Sequence, residues 1–272
     1  MKHSIATVIN YCTNDYQFLR PNINQVKKFS QQIIVPVCDH FYDGSLENQV
    51  LINRSIKENP EADFIKFKYD HKATFPFWRG WQFILRHLSL GSVWGPQYWI
   101  CFARQLGFKA IKPPVDYVLF LDADEIIDGW KFMAWLNTNH YKKNNALKPA
   151  NYWYWRSQAH QATVWENSPL LAKYSSLKQA VFIDHDERNA TYNSIPSPKT
   201  RMALGLDLKP MIHHYGWAKP KKNLLKKVTT WGHSKDRNWI KLIEKEFSHP
   251  FNGTDFLAHY QYKTVKPFVN IA

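Results

Sequence analysis

From residue 4 to residue 69, short β-branched runs alternate with amphipathic stretches, and this alternation restricts the fold more than any other property of the chain. Residues 4–11 (SIATVINY) read as a strand, the following stretch sets Ile23, Val26 and Phe29 on one helical face, and residues 33–37 (IIVPV) read as a second strand. A helix through LENQVLINRSIKEN is stopped by Pro60, and FIKFKY at 64–69 alternates with period two. Strand, helix, strand, helix, strand predicts an α/β chain with a mostly parallel sheet, right-handed crossovers and helices flanking the sheet.

Two helices are expected between residues 78 and 107, broken near Gly95-Pro96 and ending in ARQLG ahead of a strand at DYVLFL. Beyond Asp128 the pattern loosens. GWKFMAWLNTN reads as a helix, while ANYWYWRS, AVFID and PMIHHY read as strands. DRNWIKLIEKEF places Trp239, Ile240, Ile243 and Phe247 on one helical face before Pro250. The chain shows no repeat and no linker long enough to separate domains.

A chain of 272 residues with 44% hydrophobic content buries a sizeable core, which excludes a disordered protein. Its 36 basic against 22 acidic side chains give a formal charge of +14, attractive to nucleic acid, anionic lipid or a phosphorylated small molecule. Cys12, Cys38 and Cys101 lie far apart, so neither a disulfide framework nor a zinc ribbon is signalled and a reducing compartment is expected. The apolar stretch from Ile5 to Ile9 is short for a secretory signal, and the run from Val93 falls well below the roughly 20 residues of a membrane span. The expectation is a soluble, cytoplasmic protein. Lys221, Lys222, Lys226 and Lys227 are available to close over a diphosphate or to meet an anionic membrane peripherally.

YVLFLDADEII, residues 117–127, is a buried strand ending in packed acids. Ligands bind at the carboxyl ends of the strands in open parallel sheets, which is where Asp122 and Asp124 fall. Two carboxylates there repel unless a divalent cation lies between them, and hard oxygen donors suit Mg²⁺ or Mn²⁺ held together with a substrate's phosphates. A D-x-D arises about once by chance in a chain of this length with fourteen aspartates, and a second one, Asp184-His185-Asp186, also follows an apolar run. The preceding βαβαβ run and the ARQLG helix favour the first.

ARQLGFKAIKPPVDYVLFLDADEII resembles the A-R-x-x-G, helix, strand, D-x-D passage of GT-A fold glycosyltransferases, particularly family 2. INYCTNDYQFL is similar to their nucleotide-contacting segment, and TNDY to the T-N-D-x-Y of family 8. His213, Gly216 and Lys219-Pro220 match the H-x-x-G-x-x-K-P of family 8, a far rarer spacing than D-x-D. The resemblance implies a GT-A, Rossmann-like domain spanning 1–272. Residues 1–128 would bind a UDP- or GDP-linked sugar, 129–217 the acceptor, and 218–272 would form a basic helical tail. It implies that Asp122 meets the ribose or the metal and Asp124 the metal. A histidine would complete the shell, and Gly216 and Lys219 would lie against the diphosphate. His213 and His214 point oppositely on a strand, and the spacing to Gly216 favours His213. Tyr11, Thr13 and Asn14 would line the base pocket, Asp39 would meet the base, an Asx turn being its alternative, and Arg104 would face the donor phosphate.

An inverting transfer to a glycan or lipid-linked acceptor needs a carboxylate base, for which Asp186 and Glu187 are the candidates, with Glu166 behind them. A retaining enzyme needs none there, so stereochemistry stays open. The tryptophans and NYWYWRSQ serve as core or as stacking walls for a sugar. Two other classes compete with this hexosyltransferase reading. Against a nucleotidyltransferase on a similar fold stands the absence from this chain of a Gly-rich, lysine-containing loop after the first strand, and a polyanion or nucleic-acid binder would use the +14 charge without metal; no nucleic acid is expected as a partner.

Overall fold

The computed structural model describes residues 4–70, 96–177, 187–231, 234 and 236–271. The first half is built as the alternation predicts. β1 (Ile5–Asn10), α1 (Tyr16–Val26), β2 (Gln32–Cys38), α2 (Gln49–Glu58) and β3 (Asp63–Phe67) follow in order, and β1 pairs in parallel with β2, as β2 does with β3. After α3 (Pro96–Lys109), β4 (Tyr117–Asp122) lies parallel to β1 on its other side. The helix expected before Gly95 and the strand expected at 180–184 lie outside the described residues.

Further along come β5 (Glu125–Ile127), α4 (Gly129–Asn137), β6 (Ala146–Pro149), β7 (Asn151–Trp155), β8 (His160–Glu166), β9 (Leu170–Lys173) and a helical turn, α5 (Tyr174–Leu177). They are followed by α6 (Glu187–Ser194), β10 (Lys199–Ala203), β11 (Ile212–Trp217), α7 (Lys221–Thr230), α8 (Trp239–Glu246) and β12 (Tyr262–Thr264). One sheet has the order β10-β6-β9-β4-β1-β2-β3, parallel except where β9 runs antiparallel between β4 and β6. The result is a mixed α/β fold with a mostly parallel central sheet flanked by helices.

Period-two geometry divides the central strands between two cores. Ile5, Ile9, Val35, Leu119 and Leu121 pack with Leu19, Ile23 and Val26 of α1 and Phe132 and Leu136 of α4. Ala6, Val8, Ile34, Val118 and Phe120 face the other way, toward Phe108 of α3 and Ile111. Burial on both faces is why these strands read as continuous apolar runs. Helix α3 lies directly on β1: a Cβ at Gly107 would meet Val8 Cγ1 at 2.4 Å, so only glycine permits this approach.

A second sheet, β12-β8-β7-β11-β5, begins where the chain leaves β4. β11 runs antiparallel to β5, with His214 opposite Glu125 and His213 opposite Ile126, and parallel to β7. This pairing carries residues 212–217 to the acidic tip of the central sheet. Several tryptophans are core: Trp155, Trp217 and Trp239 pack with Leu224, Val228 and Ile243 beneath α7 and α8. No helix among the described residues is long and apolar enough to cross a membrane.

Candidate active site

Strand β4 ends at Asp122, and the chain turns through Ala123 and Asp124 before β5 begins at Glu125. Asn22 of α1 holds this turn from within. Fully buried, its Nδ2 donates to the carbonyl oxygens of Asp122, Ala123 and Glu125 at 3.1, 3.1 and 3.0 Å. Glu125 Oε2 accepts the backbone N–H of Asp122 at 2.8 Å. Truncating Asn22 to alanine leaves these carbonyls without their donor and is expected to cost about 1–3 kcal/mol in urea unfolding, an unchanged midpoint counting against the role.

The acids of the tip are paired separately. Arg104 of α3 donates from Nη2 to Asp122 Oδ1 at 2.7 Å, and Arg188 of α6 donates from Nη2 to Asp122 Oδ2 at 3.0 Å. Arg188 also donates from Nη1 to Glu125 Oε2 at 2.6 Å. Asp122, expected to serve as a metal ligand, thus has an arginine on each oxygen. Asp124 Oδ2 lies 3.3 Å from both Lys219 Nζ and Lys227 Nζ, while Oδ1 faces His214 Nε2 at 3.7 Å. Lys219 also pairs with Asp15.

The electrostatics follow from this pairing. Burial alone would raise the carboxyl of Asp124, but the ammonium groups of Lys227 and Lys219 outweigh it and hold the group well below the ordinary carboxylate range. Burial likewise opposes ionisation of Asp122, and Arg104 and Arg188 overcome it. At Asp15 burial prevails over Lys219 and the carboxyl is raised. Burial would lower Lys219, yet Asp15 and Asp124 raise it, so the ammonium stays charged. Four acids (Asp15, Asp122, Asp124, Glu125) therefore meet four bases (Arg104, Arg188, Lys219, Lys227).

Above the cluster opens a cavity of about 500 Å³. Tyr11, Cys12, Asn14 and Asp15 after β1 line one side, and Asp122, Asp124, Arg104, His214 and Lys227 line the floor. Trp153, Glu166, Asn167, Ser168, Arg201, Trp217 and Trp231 also line the cavity. Several sequence-predicted residues do converge here: Tyr11, Asn14, Arg104, Asp122 and Asp124.

Others lie elsewhere. Thr13 is held away from the cavity by buried Glu47, whose carboxylate accepts its N–H at 3.1 Å and its hydroxyl. Asp39 accepts from the Tyr69 N–H at 2.8 Å and pairs with His40 Nδ1 at 2.7 Å, and it does not line the cavity. Lys219 is fully buried beneath the floor, and Lys227, one helical stretch later, is the ammonium at the surface. Asp186 lies outside the described residues. Glu187 opens α6, one position before Arg188, and its side chain is also outside the description. Sequence reading missed Asn22, Glu47 and Arg188, for which no local motif exists.

The register of β11 distinguishes the two histidines. His214 shares the face of Glu125 and reaches Asp124, whereas His213 points into the opposite layer. There its Nδ1 is 2.6 Å from the Tyr154 hydroxyl, and its ring stacks on Phe268 at 4.3 Å. His213, favoured by the spacing, is thus a packing residue. Burial pushes its imidazole down to about 3. The unfolded chain binds a proton at this residue near pH 6.5, which the folded chain refuses until about pH 3, so stability should fall through that window as pH drops, by about 1.4 kcal/mol per unit. Comparing the pH dependence of urea midpoints for the wild type and His213→Gln checks this; parallel curves refute it.

One pair of side chains is spaced as two donors on one divalent cation would be. Bonds of about 2.1 Å allow two donors on one ion to be at most about 4.2 Å apart, and Asp124 Oδ1 and His214 Nε2 are 3.7 Å apart. Gly216 keeps the space open: a Cβ there would lie 2.8 Å from His214 Nε2 and 3.1 Å from Lys227 Nζ. Among the described residues, no three His, Cys, Asp or Glu side chains are placed to hold one metal ion by themselves. The remaining coordination positions would therefore belong to substrate oxygens and water, a pattern that suits Mg²⁺ or Mn²⁺.

The sequence matches no family model and no curated protein. Among solved structures, the chain is similar to S. aureus TarS residues 1–349, with 11% identity over 90% of this chain and 72% of that one and a TM-score of 0.43. A mannosyltransferase from Pyrobaculum calidifontis, in complex with GDP-Man and Mn²⁺, aligns at 7% identity over 87% of this chain and 64% of that one, with a TM-score of 0.42. A 4-diphosphocytidyl-2C-methyl-D-erythritol synthase from Anaerococcus prevotii aligns at 11% identity over 74% and 89% of the two chains, with a TM-score of 0.40. Likenesses at this level carry no inference about the activity of this chain.

Proposed function

We propose that this chain is a metal-dependent glycosyltransferase of the GT-A kind, moving a hexosyl group from a UDP- or GDP-linked donor to a hydroxyl of a glycan or lipid-linked acceptor. The observation that carries the reading is the meeting of Asp124, His214 and Lys227 on one cavity floor, from positions far apart in the chain. Asp124 and His214 would hold Mn²⁺ or Mg²⁺, which when bound offsets charge on the departing diphosphate as a Lewis acid.

The chain's own residues divide the remaining work. Lys227 supplies a positive donor at the cavity surface for a diphosphate oxygen, and Lys219 pairs with Asp15 and Asp124 and holds them in place beneath it. Arg104 and Arg188 grip Asp122 from both sides and fix the turn. Tyr11 and Asn14, at the carboxyl end of β1, take the nucleoside side, with Asn14 Nδ2 held by Thr230 Oγ1 at 3.1 Å. Trp153 and Trp231 offer apolar faces to a pyranose. Asp186 and Glu187, beside Arg188 in the chain, are the proposed bases for the acceptor hydroxyl.

A panel of UDP- and GDP-sugars with Mn²⁺, scored for donor hydrolysis without acceptor, tests the proposal. Release of one nucleoside diphosphate, abolished by EDTA and restored by Mn²⁺, is expected. Consumption of a nucleoside triphosphate with release of pyrophosphate would instead establish a nucleotidyltransferase. Salt-sensitive nucleic-acid binding without turnover would establish a polyanion binder.

A further inference from the structure

Glu125 is fully buried, and its two carboxylate oxygens have different surroundings. Oε2 accepts from Arg188 and from the Asp122 N–H. Oε1 has no hydrogen-bond partner among the described residues, and neither does the buried Nδ1 of His214. These two atoms face each other at 3.9 Å. They come from directly opposed positions of the antiparallel β5–β11 pair, which places both side chains on one face. The imidazole plane is braced by Trp153, edge-on at 4.9 Å and 78°. Two buried, facing, unsatisfied polar atoms are costly apart and complementary together.

Resting on the metal reading above, we infer that Glu125 is the positioning residue for His214: Oε1 takes the Nδ1–H, leaving the Nε2 lone pair aimed at the cation position beside Asp124. The competing arrangement would put the proton on Nε2, toward Asp124 Oδ1 at 3.7 Å. Asp124 already has two ammonium groups on its other oxygen, whereas Glu125 Oε1 has none, so the proton is better placed on Nδ1. A carboxylate behind a ligating imidazole sets both tautomer and ring orientation, and losing it typically weakens metal affinity about 10- to 100-fold. The acid following the D-x-D thus acts on the cation without touching it.

The tautomer is read in the unmodified protein by ¹⁵N multiple-bond NMR of the His214 ring, without metal. A proton on Nδ1 with Nε2 bare is expected, and a proton on Nε2 overturns the proposal. Glu125→Gln keeps an acceptor for Arg188 but turns an amide donor toward Nδ1, so it should move the proton to Nε2. Mn²⁺ titrated with UDP or GDP present, and followed by the EPR signal of the free ion, gives the second readout. Glu125→Gln should weaken Mn²⁺ at least about tenfold in the wild type and less than about twofold in a His214→Ala background. An equal loss in both backgrounds makes Glu125 a general fold anchor and overturns the inference. A wild-type protein that binds no Mn²⁺ refutes the metal reading, and the tautomer then judges Glu125 separately. Should Glu125→Gln fail to fold, the tautomer in the unmodified protein still decides.

Discussion

Asparagine at Asp124 should reduce sugar transfer at least about 10³-fold, because the substitution keeps the shape of the turn and removes the charge that the cation and two ammonium groups share. Lys219 and Lys227 remain, leaving the floor net positive where it was balanced. A divalent ion is then repelled rather than held. Stability should fall as well, by roughly 3 kcal/mol, since a buried ion pair loses one partner while Lys219 stays buried. Transfer at saturating Mn²⁺ and urea unfolding measure the two effects on one preparation. Undiminished transfer would remove Asp124 from the site.

The second large effect is expected at Lys219. Methionine there fills the volume but leaves buried Asp15 without its ammonium and Asp124 with Lys227 alone, at a cost of about 3–5 kcal/mol near neutral pH. The pH dependence has a definite sign. Lys219 is raised by its acids, so its stabilisation is fully present below the unfolded lysine value and disappears only in strong alkali. In the variant the cost comes from ionised acids, and burial already raises Asp15, so acidification should protonate that carboxyl and narrow the gap to the wild type. Urea midpoints at pH 7 and pH 5 should therefore differ more at pH 7. Asp15→Asn in the same chain should restore part of the loss. A gap below about 1 kcal/mol would mean that the ammonium is not the counter-ion of the cluster.

These expectations rest on contacts of very different legibility. β1, α1, β2, α2 and β3 were readable because each encodes its own period and stop signal, and the boundaries of the three strands fall within two residues of the reading. Strands β6, β8, β9 and β10 were not. ALKP and LLAK are too short to show a period, and HQATVWE mixes polar and apolar residues because it pairs within a sheet of partly exposed aromatics. The place of β6, β9 and β10 depends on β9 running antiparallel between β4 and β6, a long-range pairing with no local signature.

The histidine pair illustrates the same limit. Strand geometry requires adjacent residues to face opposite ways, but it does not say which one meets the acids. The register of β11 on β5 settles that, while Tyr154 and Phe268 occupy the other face. Lys219 and Lys227 divide similarly: a motif pointed to the first, yet only the second lines the cavity.

What could be known from the order of residues was local: a parallel α/β core, and two aspartates at the tip of its central strand. The partner of each acid was settled by packing. Asn22, Arg188 and Lys227 reach the tip from 100, 66 and 103 positions away, on three different helices. Coulombic and hydrogen-bond energies depend on separation in space and on burial, both of which come into being when the helices close over the sheet.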